Sequence, residues 1–172
     1  TIDMSVHQHN FDSYRQMIIT KRPHLAKGTS KGGPGNSCNR FHGTDQHCGL
    51  GVTTMDTCSL PNCRVCLVLK SGGLKVNKAK SKISFARFGN GIYFTATSSK
   101  ADDYSNGSRK AVFISELIVG DAEKLKQDAT HLTQPPNGKD SVLGEPGGTL
   151  NYDEVVIYND NATILKYLIH YR

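Results

Sequence analysis

No apolar run in this 172-residue sequence approaches the ~18–20 residues that a membrane-spanning helix requires. The pattern of a secretory leader, a short apolar stretch ahead of a small-residue cleavage site, is missing too. No internal repeat is present, which excludes solenoid and propeller arrays. The segment Lys27-Gly28-Thr29-Ser30-Lys31-Gly32-Gly33-Pro34-Gly35-Asn36-Ser37 is rich in glycine but lacks the Gly-Lys-Ser/Thr ending of a phosphate loop. Its composition predicts a flexible connector between an N-terminal helix and the rest of the chain. Hydrophobic residues make up a modest 37%, and 17 glycines with 6 prolines argue for a loop-rich α/β or α+β domain over a helical bundle. The length suits one domain, residues 1–172, with one sizeable core. An opening Thr1 fits an excised domain or a processed form, from which targeting signals would be lost.

Charge narrows the partners without choosing one. A net charge of +6 and a pI near 9.1 favour a dinucleotide, an acidic protein surface or nucleic acid. The same charge also lies within what a small domain uses for solubility. The five cysteines say more. Cys63 and Cys66 form a Cys-x2-Cys knuckle, Cys58 and Cys48 lie upstream, and Cys38 stands apart in spacing. Four thiolates from Cys48, Cys58, Cys63 and Cys66 suit a closed structural zinc site within a cysteine-rich insert over residues 44–70. Cys38 or His47 is the alternative ligand. A disulfide framework is the rival in a secreted protein, and the Asn106-Gly107-Ser108 and Asn161-Ala162-Thr163 sequons are compatible with that setting.

Periodicity places the elements. Phe11, Tyr14, Met17 and Ile18 predict one apolar helix face, and a short helix is expected near Val65 to Lys70. A lysine-rich segment with Lys75, Lys78, Lys80 and Lys82 follows Gly72-Gly73-Leu74. Strands are expected up to His42-Gly43, over Ala111 to Val119, over Glu154 to Tyr158, and over Ile164 to Tyr171. In the last of these Leu165, Tyr167, Ile169 and Tyr171 alternate onto one face. Asp121 to Asp128 reads as polar loop or helical turn, and His131 to Gly148 as loop. At the centre stands Arg87-Phe88-Gly89-Asn90-Gly91-Ile92-Tyr93-Phe94-Thr95: glycines before a short β-branched and aromatic strand, with Ser98-Ser99-Lys100-Ala101-Asp102-Asp103-Tyr104 opening a helix behind it.

Three segments in order, Phe41-His42-Gly43-Thr44, the central stretch from Arg87 to Thr95 and Asn151-Tyr152-Asp153-Glu154-Val155-Val156-Ile157-Tyr158, resemble the signature of the poly(ADP-ribose) polymerase-like ADP-ribosyltransferases. The tail agrees, with Gly138, Ser141-Val142 and Leu165-Lys166-Tyr167-Leu168. The likeness runs from about Arg40 to the C-terminus and is nearest to small fungal-type members with a cysteine-rich insert. It implies the ADP-ribosyltransferase fold, two small, mainly antiparallel sheets around an NAD cleft. It also implies transfer of ADP-ribose from NAD with release of nicotinamide. By the resemblance, His42, Tyr93 and Glu154 are catalytic, and His42, Gly43, Thr44, Tyr93, Ala101 and Tyr104 hold NAD. Tankyrases, in the same family, carry a zinc site elsewhere in the catalytic domain, so one structural zinc per chain is in keeping with it.

The chemistry explains the residue types. Losing nicotinamide builds an oxocarbenium-like charge on the ribose, and a fixed carboxylate such as Glu154 stabilises it. His42 offers an imidazole to a ribose hydroxyl, Gly43 an unshielded backbone pair to the carboxamide, and Tyr93 with Tyr104 two aromatic walls. Ala101 departs from the family, where many members have a serine whose hydroxyl bonds the nicotinamide amide. One lost neutral hydrogen bond costs about 0.5–1.5 kcal/mol, so NAD affinity should fall while the reaction survives. The loop between Ser141-Val142 and Tyr152 is short, which favours a mono-ADP-ribose product over a polymer. The acceptor is expected to be a protein, with nucleic acid as a second class, and the chain an intracellular monomer in nucleus or cytoplasm, away from membranes. An NAD glycohydrolase using water is the alternative, and an inactive zinc-containing nucleic-acid-binding module the second.

Overall fold

The computed structural model describes residues 5–78 and 86–171. Lys80 and Lys82 of the lysine-rich segment lie outside the described residues. Helix α1 (Ser5–Lys21) is followed by strand β1 (Ser37–Gln46), helix α2 (Arg64–Lys70), strand β2 (Ile92–Phe94) and helix α3 (Ser98–Asp102). Five strands complete the chain: β3 (Arg109–Ile118), β4 (Ala122–Leu125), β5 (Ser141–Gly144), β6 (Glu154–Ile157) and β7 (Thr163–Tyr171). They form a three-stranded sheet in the order β1-β3-β7 and a four-stranded sheet in the order β2-β6-β5-β4. Every pairing is antiparallel except β4 with β5. The expected α/β architecture of two small, mainly antiparallel sheets is what the structure shows.

The two sheets meet where β1 and the end of β2 approach. Phe41 and Thr95 exchange backbone hydrogen bonds of 2.9 and 3.1 Å, which ties the outer edge of one sheet to the outer edge of the other. Behind the junction Ile92, Phe94, Leu117, Val119, Val155 and Ile157 form the central buried cluster. Each such side chain contributes about 1.5–3 kcal/mol by leaving water. Helix α1 seals one flank with Phe11 and Ile18 packed on Ile118 and Ile164, and Tyr14 beside them. Met17 departs from the expected face and is 52% exposed; the buried positions keep the three- and four-residue steps of a helix.

Four expectations change. Strand β1 does not end at His42-Gly43 but runs to Gln46, in register with Arg109 of β3. Residues Lys27 to Ser37, expected as a connector, carry backbone bridges of their own. They dock on the domain through Asn36, whose amide donates to the Gly120 carbonyl at 3.0 Å. Asp121 to Asp128 and His131 to Gly148 contain β4 and β5, two strands of four residues each. Their pattern is hidden because β4 is a charged edge strand, a composition that blunts edges, and its parallel partner is distant in sequence. Where β7 pairs with β3 the register slips between Ile114 and Ser115 of β3, which face Tyr167 and Leu165. The bulge leaves Tyr167 and Ile169 exposed while Leu165 and Leu168 pack together against the cysteine-bearing core. Leu165 therefore leaves the face it was assigned.

Candidate active site

A cavity of about 680 Å³ opens at the junction of the sheets, and His42, Gly43, Thr44, Tyr93, Ala101, Tyr104 and Glu154 all line it. Three strands place the first, fourth and last of these. β1 brings His42, β2 brings Tyr93, and β6 begins at Glu154, one residue before Val155 pairs with Phe94.

The His42 ring is fixed by its neighbours. Its Nδ1 lies 2.9 Å from the Tyr93 carbonyl, which can only accept, so Nδ1 carries the proton. Burial pushes the imidazole's pKa below its ordinary 6.5, and the bond to the Tyr93 carbonyl only partly restores it. The ring is thus neutral at pH 7, with Nε2 as a bare acceptor. Phe94 packs beside it, ring centroids 5.5 Å apart. Gly43 is where α3 presses on β1: a Cβ there would overlap the Ala101 carbonyl oxygen and lie 3.2 Å from Tyr104 Cβ. The glycine lets the helix bearing Ala101 and leading to Tyr104 close over the strand.

Tyr93 works at both ends. Its hydroxyl donates to the Gly89 carbonyl at 2.8 Å and accepts from the Phe88 N–H at 3.0 Å, closing the glycine loop ahead of β2. Burial raises its pKa to about 12, with the Glu154 charge adding to the rise; it stays a neutral phenol. Gly89 takes φ +69° with its α-carbon against Leu132, the left-handed conformation that favours glycine.

Glu154 is 8% exposed, and its Oε2 has no hydrogen-bond partner. Burial pushes its carboxyl above the usual 4.5, while the cations Lys100 and Arg87 hold it down. A buried carboxylate oxygen without a partner is costly and is the sort of strain a binding site stores. Lys100 was not singled out from sequence. It sits in the Ser98-to-Tyr104 segment, with Nζ 5.1 Å from the Tyr104 ring centroid. Asn62 and Arg64, also missed, and His47, expected only as an alternative metal ligand, line the same cavity from the cysteine-bearing loops.

Cys48, Cys58, Cys63 and Cys66 converge with all four sulfurs within 4.8 Å of one another, a group that could hold a metal ion. Cys48 Sγ lies 3.5 Å from Cys66 Sγ and 3.6 Å from Cys63 Sγ. Zinc–thiolate bonds of about 2.3 Å in a tetrahedron put sulfurs ~3.8 Å apart, so the set fits, whereas a disulfide needs ~2.05 Å. All five cysteines are free thiols. Cys38 lies on β1 opposite Leu117, packed on the central core. The His47 imidazole accepts the Ser108 N–H at Nδ1, 3.4 Å away, while the His47 backbone N–H donates to Cys63 Sγ. Neither replaces a ligand.

Residues 64–147 match the family model for the poly(ADP-ribose) polymerase catalytic domain. The chain is 31% identical to poly(ADP-ribose) polymerase 1 of Gallus gallus, over 58% of this chain and 13% of that protein. It is 26% identical to poly(ADP-ribose) polymerase 1 of Danio rerio, over 59% of this chain and 13% of that protein. With poly(ADP-ribose) polymerase 2 of Homo sapiens it shares 26% identity, over 58% of this chain and 23% of that protein. The chain therefore spans less than a quarter of the length of these relatives. Among the described residues no helix is long and apolar enough to cross a membrane.

Proposed function

We propose that this chain, which carries a poly(ADP-ribose) polymerase-like ADP-ribosyltransferase catalytic domain, moves single ADP-ribose units from NAD to a macromolecular acceptor. The observation that carries this reading is the orphaned Oε2 of a buried Glu154, a residue lining the cavity that His42 also lines. Two acceptors in one cleft suit two ribose hydroxyls, which can only satisfy them by donating. The Gly43 backbone would take the nicotinamide carboxamide, and the Tyr93 and Tyr104 rings would flank the pyridine ring.

In the reaction the bond between ribose C1′ and the nicotinamide nitrogen breaks, and its electron pair leaves with neutral nicotinamide. Glu154 stabilises the positive charge that grows on the ribose. The acceptor's nucleophilic atom then bonds C1′ and gives up its proton, with the Glu154 carboxylate positioned to receive it. The four-cysteine cluster would hold one zinc, whose role is to brace the loops and helix α2 rather than to act on the substrate.

A protein is the favoured acceptor. The mono product is favoured by the short segment between Val142 and Tyr152, which offers Gly144, Pro146, Gly147 and Gly148 but little side-chain area to clamp a second ADP-ribose unit. The test is a denaturing gel after incubation with labelled NAD and mixed acceptors. A single discrete shift is expected. A ladder removed by a poly(ADP-ribose) glycohydrolase would overturn the mono product, and nicotinamide release without any macromolecular label would make water the acceptor.

A further inference from the structure

Beyond His42 the β1 backbone keeps running along the cleft. The strand ends at Gln46, four residues on, or about 13 Å at the rise of an extended chain. His47 follows, and with Asn62 and Arg64 it lines the same cavity as Glu154. Each of the three is a chain neighbour of a cluster cysteine: Cys48 follows His47, and Cys63 stands between Asn62 and Arg64. The sulfurs also hold this backbone directly, accepting the His47 N–H at 3.4 Å (Cys63) and the Cys58 N–H at 3.3 Å (Cys66). Fully buried Gln46 donates to the carbonyls of Cys48 and Leu50 at 3.1 and 2.8 Å. The Nε2 of His170 lies 2.7 Å from its Oε1 and fixes the amide.

A dinucleotide whose nicotinamide end sits at His42 and Tyr93 must lay its diphosphate and adenosine elsewhere, and β1 leads to this wall. Arg64 is exposed and makes no ion pair or side-chain hydrogen bond among the described residues. Its planar guanidinium is suited to bidentate contact with a diphosphate. Asn62 adds an amide and His47 an imidazole for hydroxyls or a base edge.

We infer that the cysteine cluster with its metal and this far wall are one unit that binds the diphosphate and adenosine half of NAD, so that metal occupancy sets affinity for that half and leaves the nicotinamide end alone. The inference rests on the reading of the cleft as an NAD site. Because binding couplings are reciprocal, ADP-ribose must in turn hold the metal in place.

The experiment uses the protein as purified, with its metal, and two probes, ADP-ribose and nicotinamide. Saturating ADP-ribose should raise the resistance of the metal to a competing chelator, and nicotinamide should not. Arg64→Ala should keep its metal and lose about tenfold or more in ADP-ribose affinity, with nicotinamide affinity within about twofold of the parent. Metal loss indifferent to ADP-ribose, a protein isolated without metal, or ADP-ribose binding to Arg64→Ala within about twofold would each overturn the inference while leaving nicotinamide binding intact. Failure of the parent protein to bind nicotinamide would overturn the reading of the cleft, and the inference with it.

Discussion

Replacing Glu154 by Gln should make the protein more stable and much less active at the same time. The carboxylate is 8% exposed with one oxygen unpartnered, and leaving a buried polar group unsatisfied costs about 1–3 kcal/mol. Lys100 and Arg87 offset part of that cost, and the amide of Gln keeps some of it. A gain of roughly 1 kcal/mol remains, which for a chain of this size raises Tm by about 2–4 °C. The sign follows from the raised carboxyl. Between 4.5 and the folded value the native chain holds a proton that the unfolded chain releases, so stability falls as pH rises through that window. The penalty is complete above it, and the advantage of Glu154→Gln should vanish as pH falls toward 4.5. Turnover should drop ~10²–10³-fold, the scale of a lost electrostatic stabiliser. Thermal melts from pH 4 to 8 alongside nicotinamide release measure both. A lower Tm at neutral pH, or turnover within about threefold of the parent, would refute the assignment of this residue.

The neutral His42 should make NAD binding pH-dependent on the acid side only. Affinity should decline below pH 6.5, where protonation turns Nε2 from acceptor to donor; a midpoint at or above 6.5 in NAD titrations would contradict the fixed tautomer. The same depressed pKa means that stability is lost as pH falls from 6.5 toward the folded value, because the unfolded imidazole takes its proton first. Ala101→Ser should tighten NAD by up to ~10-fold in calorimetry, since Ala101 lines the cavity; an unchanged or weaker Kd would show that this position does not face the carboxamide. Elemental analysis should find one zinc per chain, and Cys63→Ser should lose it and melt lower by circular dichroism. Full stability without metal would count against the site.

Much of the site was legible because its residues lie in short contiguous motifs. Phe41 to Thr44, Gly91 to Phe94 and the segment into Glu154 each fall on or lead into one strand, β1, β2 and β6, and order along the chain sufficed to group them. The convergence of Cys48, Cys58, Cys63 and Cys66 could also be read, since their spacing is local. The strands β4 and β5 escaped notice because a four-residue strand has no period to detect, and pairing across the fold makes it. The bulge in β7 escaped notice for a related reason: alternation counts residues and cannot see a register slip. His47, Asn62 and Arg64 carry no motif of their own, and only the folding of the cysteine loops over β1 brings them into the cavity.

Cleavage of NAD in the cleft and transfer of its ADP-ribose can be followed together in one assay. The protein is incubated with NAD labelled in the diphosphate and with a mixed macromolecular extract, and free nicotinamide is quantified against label retained on macromolecules. Nicotinamide and retained label should appear in equal amounts, and both should be abolished in Glu154→Gln. Intact NAD after prolonged incubation, with no nicotinamide formed, would contradict it.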